Sequence, residues 1–122
     1  MSGQATERIF VYGTLRRGGS NHHRMKDAGF LSTAQVNGRL YRIDWYPGLI
    51  PDDSAGSVHG EVFEVSSGIL NELDAFEGDE YLRVKLEVRL PDHSSVETWL
   101  WAWTGPTDES QRITGGDWLA SG

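Results

Sequence analysis

Four carboxylates crowd one short stretch of this chain. "LDAFEGDEYLRV", residues 73–84, sets Asp74, Glu77, Asp79 and Glu80 between the end of an apolar helical pattern and the start of an alternating one. Glu77 falls in the last helical turn, beside Gly78, where the negative end of the helix dipole disfavours an anion. That effect is about 0.3–1 kcal/mol, a few tenths of a pKa unit. The neighbouring acids and partial burial beside Phe76 and Tyr81 push in the same direction. Each effect moves the carboxyl toward the range in which a general acid–base works. A solvated acidic turn has the same composition, so these residues alone fit both readings.

The loop "YGTLRRGG", residues 12–19, is the second stretch with chemical content. It follows the short apolar run "RIFVYGTL" and so stands at the end of a buried strand. Its glycines let backbone N–H groups approach an anion closely. It lacks the Gly-Lys-Ser/Thr ending of a Walker loop, and an ordinary glycine-rich turn fits it equally.

Other chemistries find little support. His22, His23, His59 and His93 have no ligand-like spacing with a second donor on one helical face, and the chain has no cysteine. No metal site is expected. There is no Gly-x-Ser-x-Gly motif. Trp99, Trp101 and Trp103 share one face of a strand pattern and could resemble a base-stacking platform. However, 11 Lys and Arg against 18 Asp and Glu give a formal charge of −7. Nucleic-acid binding needs a basic face, and Arg16, Arg17, Arg24 and Lys26 form only a weak cluster. Those tryptophans therefore read as core or pocket wall. No apolar run approaches the ~20 residues of a membrane span. "MSGQATER" has no apolar h-region, so the expected address is the cytoplasm.

The elements that must position these residues follow from pattern. At 122 residues the chain is expected to form one domain over 1–122. After the first strand, Asn21 is placed to cap a short helix, "HHRMKDAG", which Gly29 stops. Asn37-Gly38 within "TAQVNGRLYRID" signals a hairpin, or a bulge in one long strand. "WYPGLIPDD" reads as a proline-punctuated loop. "SVHGEVFEV" reads as a strand with Val58 and Val62 on one face, Phe63 and Val65 on the other. "SSGILNELDAFEG" reads as a helix capped by Ser66 or Ser67, with an apolar stripe of Ile69, Leu70, Leu73 and Phe76. "YLRVKLEVRL" alternates, with Leu82, Val84, Leu86, Val88 and Leu90 facing the core. "VETWLWAWTG" is a last strand, and "TGGDWLASG" has no regular pattern. About five or six strands and two short helices make an α+β chain with a mixed or mostly antiparallel sheet, curled or closed into a small barrel.

Four stretches in this order resemble the gamma-glutamylcyclotransferase-like superfamily: "FVYGTLRRG", "GRLYRIDWYPGL", "VHGEVFEV" and "LDAFEGDEYLRV". The match spans about residues 8–104, with an echo at "GGDW". The resemblance implies a small, partly open β-barrel flanked by helices, with a cavity at one mouth. It implies that Glu77 is the catalytic acid–base and that Tyr12, Gly13, Thr14 and Leu15 hold a glutamyl end. Tyr46 and Tyr81 would line the pocket. Arg83 matches the signature arginine but shares a face with Lys85 and Glu87, so it is placed to pair with an acid. Asn21 is assigned a capping or pocket role. The implied substrate is a small gamma-glutamyl compound, cyclised to 5-oxoproline without a cofactor. The Tyr-Gly-Thr-Leu loop in a compact chain resembles the gamma-glutamylamine branch. The leaving group is left open, as is use of the same cavity to hold a metabolite without turnover.

Overall fold

The computed structural model describes residues 6–25 and 27–120. Lys26 and the termini, including most of "MSGQATER", lie outside the described residues. Six strands, β1 (Thr6–Val11), β2 (Gly29–Arg42), β3 (Pro47–Pro51), β4 (Ser57–Ser66), β5 (Tyr81–Arg89) and β6 (Ser95–Trp103), form one sheet in the order β3-β2-β4-β1-β6-β5. A further pairing, Gln35 with Arg89, joins β2 to β5 and closes five of the strands into a barrel. The expected opening is thus reduced to a seam of one register pair. β1 and β6 run parallel and the other pairings are antiparallel, so the barrel is mixed.

Period-two alternation separates two apolar layers. Phe10, Val36, Val58, Val62, Val88 and Leu100 point into the barrel. Ile9, Val11, Phe63, Val65 and Trp101 point out of it, under the helix α1 (Ser67–Glu77), which covers them with Leu70 and Leu73. The Ser66 hydroxyl caps α1 by accepting from the Ile69 N–H at 3.2 Å. Gly78 ends it at φ 85°, a left-handed conformation that favours glycine, and its N–H donates to Asp74 O at 3.3 Å. No helix of the described residues is long and apolar enough to cross a membrane.

Four local expectations need correction. Asn37-Gly38 makes no hairpin: β2 continues through it and changes partner there, pairing with β4 up to Asn37 and with β3 from Gly38. A side chain at Gly38 would stand 2.6 Å from Leu49 Cδ1, so the glycine serves this close approach. The bulge of β2 lies elsewhere, between Phe30 and Ser32. Residues 45–53 are not all loop, because Pro47 and Pro51 bound the edge strand β3, where a missing N–H does least harm. The helix after Asn21 is a single 3-10 turn, His22–Met25, and Gly29 opens β2 instead of stopping a helix. Leu82 is 58% exposed although its alternation partners Val84, Leu86 and Val88 are packed against the core: it stands at the start of β5, next to the turn out of α1, and outside the apolar cluster that they join.

Candidate active site

Three segments meet at one mouth of the barrel: the loop after β1, the start of β3, and the turn from α1 into β5. They enclose a cavity of about 420 Å³. Tyr12, Gly13, Thr14, Leu15, Tyr46, Glu77 and Tyr81 all line it. Asn21 and Arg83 do not. Pro47, Phe76, Trp101 and Trp103 complete much of the wall. Pro47 and Phe76 were not legible as lining residues, since a proline in an aromatic run signals a turn and an apolar helix position signals core.

The loop is held from several sides. The buried Tyr12 hydroxyl donates to Trp101 O at 2.7 Å and accepts from the Leu49 N–H at 3.2 Å, which fastens the loop to β6 and β3. Tyr12 is therefore a wall with its polar tip already used. Asn21 Nδ2 donates to the Thr14 hydroxyl at 3.1 Å, and the Asn21 N–H donates to Thr14 O at 2.8 Å. Asn21 thus braces the loop from behind. Leu15 O accepts from His22 Nδ1 at 2.9 Å. With these carbonyls engaged, the N–H groups of Gly13, Thr14 and Leu15 donate to no acceptor among the described residues.

Gly13 permits the loop to pass Pro47: an added Cβ would sit 2.6 Å from Pro47 Cγ and 2.9 Å from Cδ. Gly13→Ala is expected to push the loop off β3 and to raise KM more than it lowers stability. Steady-state kinetics beside a urea melt would check this, and an unchanged KM would show that Pro47 yields.

Across the cavity stands Glu77. No hydrogen bond or ion pair among the described residues engages its carboxyl, and it is half-buried in the wall. Burial, and secondly the charge of Asp74 one turn earlier, lift it from 4.5 to about 7. Asp74 is itself fixed, accepting from Trp101 Nε1 at 2.8 Å and lying 3.4 Å from Arg83 Nε. Arg83 thus pairs with an acid, and its guanidinium lies over the Trp99 ring at 4.5 Å. This packing leaves Arg83 Nη1 buried without a hydrogen-bond partner.

The remaining wall is aromatic. Tyr81 O–H donates to Pro47 O at 2.6 Å, and burial with the nearby Glu77 raises the phenol well above its usual range. The Tyr81 ring meets Trp103 edge-on at 5.1 Å, and Tyr46 lies 6.2 Å from Trp103. Trp101 and Trp103 are buried, so these rings offer no exposed stacking platform. Chemically, the cavity is lined by a carboxyl that changes charge near neutrality and by the loop residues Gly13, Thr14 and Leu15, whose N–H groups have no acceptor among the described residues.

The chain is similar to known proteins in both sequence and fold. The family described as "Gamma-glutamyl cyclotransferase, AIG2-like" matches residues 9–120. A gamma-glutamylcyclotransferase family protein, YtfP, of Escherichia coli K12 is 39% identical over 115 residues, covering 92% of this chain and 96% of its own. A putative gamma-glutamylcyclotransferase of Methanocaldococcus jannaschii is 31% identical, over 78% of this chain and 82% of its own. Among solved structures, an uncharacterized protein from Pyrococcus horikoshii superposes with a TM-score of 0.76 at 30% identity, covering 93% and 91% of the two chains. A mouse AIG2-like protein does so with 0.73 at 29%, covering 85% and 81%. Sequence order, barrel and neighbours therefore converge: the chain belongs to the gamma-glutamyl cyclotransferase, AIG2-like family.

Proposed function

We propose that this protein is a gamma-glutamylcyclotransferase, releasing 5-oxoproline and an amine or amino acid from a small gamma-glutamyl compound, with Glu77 as acid–base. The observation that supports this most is that Glu77, an unpaired carboxyl near 7, lines one cavity with Gly13, Thr14 and Leu15, whose N–H groups donate to no acceptor among the described residues. The substrate brings its own nucleophile. Its α-amino group is mostly an ammonium at neutral pH, with a pKa of about 8. Ionised Glu77 takes a proton from it, a nearly balanced transfer. The freed nitrogen attacks the γ-carbonyl carbon, the five-membered ring closes, and charge develops on the carbonyl oxygen.

The Gly13 to Leu15 N–H groups supply donors for that oxyanion or for the α-carboxylate. The bond between the carbonyl carbon and the leaving nitrogen then breaks, its electron pair staying on nitrogen, which takes a proton from Glu77. Over the whole reaction the attacking nitrogen loses two protons and the leaving nitrogen gains two. The step needs a proton carrier and no cofactor. Tyr12, Tyr46 and Tyr81 shape the pocket so that the substrate folds back on itself, the orientation that cyclisation requires.

Incubating the protein with gamma-glutamyl dipeptides and gamma-glutamyl amines and quantifying 5-oxoproline tests this. The expected kcat/KM profile is bell-shaped, with an acidic limb near 7 from Glu77 and a basic limb near ~8 from the substrate ammonium. Asp74→Asn keeps an oxygen for Trp101 and removes the charge beside Glu77, so the acidic limb should move to lower pH. No 5-oxoproline from any compound that binds would favour a metabolite-binding protein instead.

A further inference from the structure

The two arginines that follow Leu15 in "YGTLRRGG" are held by carboxylates from distant parts of the chain. Glu61, on β4 opposite Val11 at the end of β1, is the one buried acid among the described residues, at 4% exposure. One of its oxygens accepts from the Arg17 N–H at 2.9 Å. The other lies 3.5 Å from Arg17 Nε and 3.9 Å from Arg16 Nε. Asp117, in the C-terminal "GGDW", accepts from Arg16 Nη1 at 2.7 Å. Arg16 is thereby clasped between β4 and the tail, with most of its side chain buried. The backbone turn of the loop runs through the same residue: the Arg16 N–H donates to Gly13 O at 3.1 Å, and Arg16 O accepts from the Gly19 N–H at 2.7 Å. A shift of Arg16 is therefore passed on to Gly13.

The tail that carries Asp117 is itself fastened to the barrel. The Ile113 N–H donates to Leu40 O at 2.8 Å, and Gly116 O accepts from the His59 N–H at 2.8 Å. Gly116, at φ 70°, passes so close to β4 that an added Cβ would collide with Ser57 O. Asp117 Oδ1 also accepts from the Leu119 and Ala120 N–H groups, at 3.1 and 3.4 Å, which fixes the carboxylate facing Arg16. Burying charges in this way costs solvation that their pairing only partly returns, so the network is a poor source of stability. It is a good source of fixed geometry, since each charged bond has a narrow range of distance and direction.

We propose that Glu61 and Asp117 are positioning residues for the reaction: through Arg16 and Arg17 they hold Gly13 to Leu15 in the geometry that receives the gamma-glutamyl end. The C-terminal tail is then the rear support of the substrate loop. The proposal rests on the cyclisation reading. Neither carboxylate lines the cavity, so both act through the loop and not on the substrate.

Asp117→Asn tests it, because the amide keeps the oxygen that Leu119 and Ala120 use and removes only the charge facing Arg16. KM for the best gamma-glutamyl compound should rise about tenfold, the loss of one charge-assisted hydrogen bond, with kcat and the acidic limb of the pH profile little changed. Arg16→Gln should cost about the same, and the double variant no more than either, since both changes break one bond. Asp108→Asn is the control: Asp108 caps a turn of the same tail by accepting from the Ser110 N–H at 2.9 Å and meets no loop residue, so KM should not move. Hydrogen exchange supplies a readout without substrate: the Arg16 and Gly19 amides should exchange faster in Asp117→Asn while those of β4 and β6 do not. An unchanged KM, multiplicative losses in the double variant, or an equal effect of Asp108→Asn overturns the proposal and leaves cyclisation intact. If wild type turns over none of the compounds, cyclisation falls and exchange decides: faster exchange confined to the loop supports a tail that positions it, and unchanged exchange overturns that.

Discussion

Glu77→Gln is expected to lower turnover about 10²–10⁴-fold, the usual contribution of a positioned acid–base. The amide keeps the side chain's volume and can still hydrogen-bond, so substrate binding should change little and the loss should fall on kcat. The proposed substrate loop, Gly13 to Leu15, is untouched by the change, which is why some turnover should survive. Wild type and variant would be compared by 5-oxoproline release under saturating substrate. Equal rates would mean that Glu77 is a bystander at the cavity wall and that the proton carrier lies elsewhere. A loss expressed only in KM would assign it to binding.

The same substitution should make the protein more stable at neutral and alkaline pH. The Glu77 carboxyl titrates at about 7 when folded and near 4.5 when free of the fold, with burial the larger cause. A group whose folded value is raised holds its proton more tightly in the native state. Wild type therefore loses stability as the pH rises from about 4.5 to 7, and the whole penalty is present above 7. At about 1.36 kcal/mol per pH unit, the penalty is on the order of 3 kcal/mol. Glutamine has no charge to bury. Urea unfolding at pH 4 and pH 8 should show nearly equal stabilities at the lower pH and a more stable variant at the higher. Other titrating groups are common to both proteins and cancel in the difference. A pH-independent difference would show that the carboxyl is solvated. The two results together would describe a residue that weakens the fold and is retained for chemistry.

The oddity that Glu77 presents in the sequence has a partial answer in the helix dipole and a fuller one in packing. A carboxylate before Gly78 can be read from the helix pattern and its stop. The direction of its shift is legible too, since a helix C-terminus and nearby acids both oppose ionisation. Its size is not, because burial is the leading cause and burial depends on Tyr81, Trp101 and Trp103 closing around the cavity. Asp74 shows the same limit. As one acid among four it looks solvated, whereas its bond to Trp101 Nε1 spans 27 positions of chain.

Local pattern by itself determined β1, the strands from β4 onward, the helix α1 with its Ser66 cap and Gly78 stop, and the mixed α+β character. These depend on alternation, on a 3.6-residue stripe and on capping chemistry, all of which operate over a few residues. The four ordered stretches also determined the family resemblance. Tertiary structure alone decided the rest. Asn37-Gly38 carries the local chemistry of a hairpin, but pairing with β3 and β4 in succession holds β2 straight through it. The prolines of 47–51 signal a loop, but an edge position tolerates them in a strand. The loop at 12–15 and the end of α1 are more than sixty positions apart, and no local rule brings them together. They meet because β1 lies between β4 and β6 and because α1 covers the outward face of those strands. The residue types that could do chemistry were therefore visible in the sequence. Their common cavity is a product of strand order.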